Sequence, residues 1–162
     1  MNGTEDLPKN AKESLEIVDS ALAEYEAKIG ISAIKFNDKV EKYLSYPAEQ
    51  IRKLTVEERE EASIMLAQYA IYIQKQYNDN ISKANWAEDM LKLKLADEIS
   101  SYKAPSYEER RLLAIRHNEY LTKLEKIRSY ANNRAQRLNF IASRVEYLSR
   151  TFMSKGKRYH NE

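Results

Sequence analysis

Cysteine is absent from the sequence. That excludes disulfides, thiol nucleophiles and cysteine zinc sites, and it fits a reducing compartment. Glycine and proline are nearly as scarce, at three each. With so few breaker residues, long uninterrupted helices are the expected structure, and no strand pattern competes anywhere. The glycines stand isolated at 3, 30 and 156, so there is no glycine-rich phosphate loop. Only two histidines occur, His117 and His160, without metal-ligand spacing. Long apolar runs are missing too. The longest uncharged stretch, "ASIMLAQYAIYIQ" (62–74), is too short to span a bilayer and reads as buried core. The opening "MNGTEDLPKN" has no signal-peptide core. Acid pairs such as Glu60-Glu61 and Glu108-Glu109 fall in first turns, where they complement the helix dipole. The expectation is a soluble, cytoplasmic, non-enzymatic protein with no membrane partner, and no catalytic residue, metal ligand or cofactor is assigned.

What is present is charge, and it is unevenly placed. Lys and Arg number 27 against 25 Asp and Glu, a net charge of only +2. Residues 110–162, however, hold 13 Lys or Arg against four acids, leaving 14 against 21 in residues 1–109. A split of this kind points either to a polyanionic partner for one end or to mutual neutralisation within or between chains. The apolar share, 43%, is enough for a core.

Helix starts can be read from cap chemistry. Asn10–Glu13, Thr55–Glu58 and Ser106–Glu109 have capping-box spacing, in which the cap side chain and the acid three residues on satisfy exposed backbone N–H groups. Pro47 suits a first turn, where its missing N–H does no harm. These signals predict helices over about 11–28, 32–44, 47–53, 56–102 and 107–154, with a turn at Lys103-Ala104-Pro105. Gly30 interrupts the first stripe. The two long helices, each roughly 70 Å by helix rise, must fold back on one another across so short a connection. The expected fold is all-α: a long antiparallel, coiled-coil-like helical hairpin with smaller N-terminal helices. Residues 1–9 form a flexible N-terminus, 10–154 a single helical domain, and 155–162 a basic C-terminal tail.

Along 107–154 an apolar heptad runs through 113, 117, 120, 124, 127, 131, 134, 138, 141, 145, 148 and 152, with His117 inside it and Arg134 as its main violation. A guanidinium there must meet an acid across the seam or lie beside a solvated channel. One register along stands a ladder at seven-residue intervals: Arg116, Lys123, Tyr130, Arg137 and Arg144. Arg128, Arg150 and the tail cations Lys155, Lys157 and Arg158 widen it. The ladder has two readings. It forms a phosphate-binding face, or it makes interhelical salt bridges with acids such as Glu57, Glu58, Glu60, Glu61, Glu88, Asp89, Asp97 and Glu98.

Aromatic usage is skewed, with 12 Tyr against one Trp and three Phe. Most lie on apolar stripes. Tyr102, Tyr107, Tyr130 and Tyr159 are the candidates for a surface near basic groups, where single-stranded nucleic acid stacks its bases while cations hold its phosphates; protein interfaces use the same residues. In 62–74 the apolar residues cover every side of their helix. Either N-terminal helices wrap the side that a hairpin leaves open, or neighbouring subunits do, so self-assembly is expected.

Two stretches, "YLTKLEKIRSYANNRAQRLNFI" (120–141) and "LKLKLADEISSYKAP" (91–105), resemble the UvsY recombination-mediator family of T-even-type bacteriophages. The shared features are paired asparagines before an Arg within a hydrophobic heptad, and a helix end with two basic residues around Leu followed by tyrosine and a turn. The resemblance implies an oligomeric, ring-forming helical protein that binds single-stranded DNA and helps a RecA-like recombinase displace the single-strand-binding protein. It places Lys92 and Lys94 where the family has DNA-contacting basic residues. Together these signals give the expectation of a non-enzymatic, homo-oligomeric single-stranded DNA-binding mediator of phage recombination or replication. The alternative is a structural helical-hairpin protein, such as a virion assembly factor or coiled-coil adaptor, whose basic face meets acidic protein surfaces.

Overall fold

The computed structural model describes residues 13, 16–21, 23, 24 and 33–154, and among them there is no strand. Residues 16–21, 23 and 24 are helical. They are followed by α1 (Asp38–Leu44), α2 (Ala48–Lys53), α3 (Val56–Glu98), a 3-10 turn (Ile99–Ser101), α4 (Tyr107–His117), α5 (Glu119–Leu138) and α6 (Ile141–Ser154). The all-α hairpin with smaller N-terminal helices is therefore the fold found. The expectations for residues 1–9, the Asn10 cap, Gly30, Tyr159 and the tail from Lys155 to Glu162 lie outside the described residues.

Cap chemistry fixes most boundaries. Thr55 Oγ1 accepts from the Glu58 N–H at 3.2 Å, and Glu58 accepts in return from the Thr55 N–H at 2.8 Å. Ser106 and Glu109 make the same reciprocal pair at the start of α4. Each box satisfies donors that a helix start leaves open. The helix expected over 32–44 begins later, because the Asn37 side chain takes the Val40 N–H at 3.0 Å. Residues 33–37 are not helical. The Ile34 N–H goes instead to the Gln68 carbonyl on α3, at 3.3 Å.

A larger correction concerns 107–154, which is three helices and not one. At Asn118 the backbone turns extended (φ −112, ψ 116). Its side-chain oxygen caps α5 by accepting from the Tyr120 and Leu121 N–H groups, at 2.9 and 3.2 Å. Thr122 Oγ1 meanwhile donates to the Ile115 carbonyl at 2.6 Å, so both sides of the break are satisfied. A second break separates α5 from α6 at Phe140, whose φ of 65° is the only positive value outside glycine among the described residues. That conformation costs a bulky residue about 1–3 kcal/mol.

The chain divides into two compact units, one of Met1–Gly30 with Asp79–Gln136 and the other of Ile31–Asn78 with Arg137–Glu162. In the first, Leu91 and Leu95 of α3 pack with Ala114, Ile115, Leu121 and Leu124, flanked by Trp86. Lys83 of α3 pairs with Asp19. In the second, Ala62, Leu66, Ala70 and Ile73 of α3 pack with Ala142, Val145 and Phe152 of α6 and with Tyr43 and Ile51. Phe152 is fully buried and meets the Tyr43 ring edge-on at 6.1 Å, so Phe152→Ala costs about 3–5 kcal/mol. Buried Ser149 shares a 3.0 Å hydroxyl contact with Ser63 and donates to the Ser63 carbonyl, which satisfies it. Around 62–74 the N-terminal segment covers part of the apolar belt, with Phe36 against Tyr69 at 5.9 Å. Ile64 and Ile71 stay 59% and 39% exposed on one face. No helix among the described residues is long and apolar enough to cross a membrane.

Candidate nucleic-acid interface

The buried positions of α4–α6 set the register of everything else. Apart from Ile115, they are Ala114, Leu121, Ala135, Ala142 and Ser149 in one seven-residue series, and Leu124, Ala131, Val145 and Phe152 in the other. The second series is the one expected from the sequence. The first lies one residue later than the expected 113, 120, 127, 134, 141, 148, because Leu121 and the small side chains of Ala114, Ala135, Ala142 and Ser149 are the buried ones. Two corrections follow. Arg134 is exposed and violates no core. His117 is also exposed and stacks on the Tyr102 ring at 6.0 Å.

The shifted seam carries Arg128 inward, where it is one of four half-buried charges. Its guanidinium reaches Glu88 of α3 at 3.4 Å and bonds Glu125 through both nitrogens. Arg111 lies 3.9 Å from Glu88 and 3.6 Å from Glu125. The hydrogen bond that Arg128 donates to Glu125, with the charges of Glu125 and Glu88, outweighs burial and holds the guanidinium even more firmly protonated. Arg128 is thus a seam residue and does not widen the basic surface. Glu88, Arg111 and Arg128 border a cleft of about 460 Å³ in the first unit, which Asn85, Tyr107 and Asn132 also line.

The same shift turns the ladder outward. With Leu121 and Leu124 as the inward heptad positions a and d, Lys123 occupies c, and Arg116, Tyr130, Arg137 and Arg144 share that position. Interhelical salt bridges come from e and g. All five ladder residues are exposed. Lys123 pairs only within its own helix, with Glu119 at 2.7 Å. Among the described residues, Arg116, Arg137 and Arg144 have no carboxylate partner. Interhelical pairs with Glu88 of α3 are made by Arg111 and Arg128.

Three residues that the sequence reading passed over belong beside it. Lys126, Phe140 and Tyr147 occupy f, the position opposite the seam. Tyr147, Tyr130 and Phe140 are 74%, 70% and 68% exposed, more than any other large hydrophobic side chain described. From 126 to 145 there are five Lys or Arg and no Asp or Glu. Within the second unit, Arg137, Phe140, Arg144 and Tyr147 alternate cation and ring at steps of three and four. Within the first, Lys126, Tyr130 and Arg134 place one ring between two cations at steps of four. The alanines at 114, 135 and 142 carried the signal that would have set this register.

Two of the other assigned residues lie on α3. Lys92 on α3 is exposed and sits 3.9 Å from Glu88 and 3.8 Å from Asp89. Lys94 is also exposed, on α3. Lys155, Lys157 and Arg158 lie outside the described residues. Arg150 pairs with Glu146 one turn earlier on α6. Comparison with family models, curated proteins and solved structures returns no match to this chain.

Proposed function

We propose that this chain is a non-enzymatic, oligomeric single-stranded DNA-binding protein, acting as a recombination or replication mediator that helps load a RecA-like recombinase against the single-strand-binding protein. The observation that carries the DNA-binding part is the exposed run Arg137, Phe140, Arg144 and Tyr147 of the second unit, where rings alternate with cations and no acid precedes Glu146. Phosphates pair with guanidinium and ammonium groups, and every base has a face to stack. The recombinase and the single-strand-binding protein come from the resemblance to the mediator family alone. Lys92 and Lys94 are assigned to DNA on the same ground.

The test is the salt dependence of binding. Each phosphate contact to a single strand contributes about −0.7 to the slope of log affinity against log salt. Replacing Arg137 and Arg144 by Gln should flatten that slope by about one unit or more, since two contacts are removed. The loss should be alike for every oligonucleotide sequence, because phosphates carry no sequence information. A wild-type protein that shows no salt-sensitive retention of single-stranded DNA overturns the proposal. The second reading, a helical-hairpin adaptor, then stands, and the exposed Ile64 and Ile71 favour it.

A further inference from the structure

We infer that Phe140 is a base-stacking residue whose ring takes one face of an unpaired nucleobase, while Arg137 and Arg144 hold phosphates on either side. This rests on the single-strand reading above and names the residue that meets the base. At φ 65° Phe140 sits in the left-handed region, which glycine or asparagine occupies far more readily. Asparagine stands immediately before it, at 139, yet the positive φ falls on the aromatic. Nor does the ring repay the fold by packing. It is 68% exposed and belongs to neither core cluster, and it makes no ring contact among the described residues. A backbone outlier bearing an idle apolar side chain points to a ligand outside the fold.

The surroundings say which ligand. Phe140 caps α6, its carbonyl accepting the Arg144 N–H at 3.1 Å, and the first turn of α6 contains no acid. The ring therefore projects beside a helix start whose partial positive charge is not neutralised, between two arginines that have no carboxylate partner among the described residues. The site presents cations and a ring together. A single strand satisfies both at once, with a charge on every nucleotide and a flat apolar face on every base. Tyr147, seven residues on and also exposed, stands about 10 Å along α6 by helix rise, ready for a second base.

The experiment compares full-length wild type, Phe140→Gly and Phe140→Tyr for binding to oligo(dT) and to an abasic sugar-phosphate strand of equal length, with thermal midpoints measured alongside. Phe140→Gly relieves the backbone, so its midpoint should be equal or higher. It should nevertheless weaken oligo(dT) binding by about five- to a hundredfold while leaving the abasic strand unaffected. Phe140→Tyr, which keeps the ring, should stay within about twofold of wild type for oligo(dT). A glycine variant that binds oligo(dT) as wild type does, or a wild type that binds both strands equally, overturns the stacking role and leaves the phosphate ladder standing. A wild type that binds neither strand removes the single-strand reading and this inference with it. Loss of a protein contact, with no change toward either strand, also overturns it.

Discussion

Glu119 and Lys123 meet at 2.7 Å one turn apart on α5, and the pair shows how a ladder residue is held by its own helix. The hydrogen bond from Lys123, and then its charge, lower the Glu119 carboxyl below the usual carboxylate range. A lowered folded-state value makes the pair's stabilisation complete above the unfolded-state value, about 4.3 for Glu. It is lost as pH falls through the folded value. Titration of the Glu119 side chain by NMR should therefore give a value below that of an ordinary Glu, returning to it in Lys123→Gln. An unchanged value in the variant would mean that the pair does not persist in solution. Lys39 and Glu61, at 2.7 Å, follow the same sign, with the Lys39 hydrogen bond lowering Glu61. Both pairs are exposed and screened by salt, so each adds little to global stability.

Asn118 does more at the scale of the element. It caps α5 through its oxygen, and its amide donates to Glu98 at 2.6 Å, the last residue of α3. Asn118→Ala removes the cap and leaves Glu98 without this donor. The expected cost is about 1–2 kcal/mol, read as a lower urea midpoint. A change within a few tenths of a kcal/mol would show that water replaces both bonds, at the ~0.5 kcal/mol scale of an ordinary surface site. Helix starts at Thr55 and Ser106 were legible because a capping box lies within four residues of sequence. The breaks at Asn118 and Phe140 were not, since the apolar periodicity passes through both without interruption. The seam register was half legible for a related reason. Leu, Ile and Tyr advertise themselves as core, but Ala114, Ala135 and Ala142 are what fit against α3, and alanine carries no hydropathic emphasis. Choosing the bulkier series put Arg134 inside and Arg128 outside, the reverse of their places.

For the whole molecule, the antiparallel return was readable from the short connection that contains Pro105. The division into two units was not, because α3 serves both without a break in its pattern. The apolar belt at 62–74 was read as covered either by N-terminal helices or by another copy, and the fold divides the answer. Tyr69 is screened by Phe36, and burial raises its hydroxyl above the usual tyrosine value. Ile64 and Ile71, one heptad apart, remain open. If copies of the chain associate through that face, wild type should scatter light as a species larger than a monomer. Ile71→Asp should yield a smaller species of unchanged helicity, since a carboxylate buried without a partner costs several kcal/mol. A strictly monomeric wild type at micromolar concentration refutes self-association.

Trp86 is the sole tryptophan of the chain, and it packs against the Leu91–Leu124 cluster of the first unit. The second unit has its aromatic cluster of Tyr43, Tyr46 and Phe152 instead. Indole emission therefore reports on one unit and is blind to the other, whereas helical ellipticity weighs both. The chain has a built-in optical asymmetry: superimposable melting curves from the two signals mean that it melts as one cooperative body, and separated curves mean that one half lets go first.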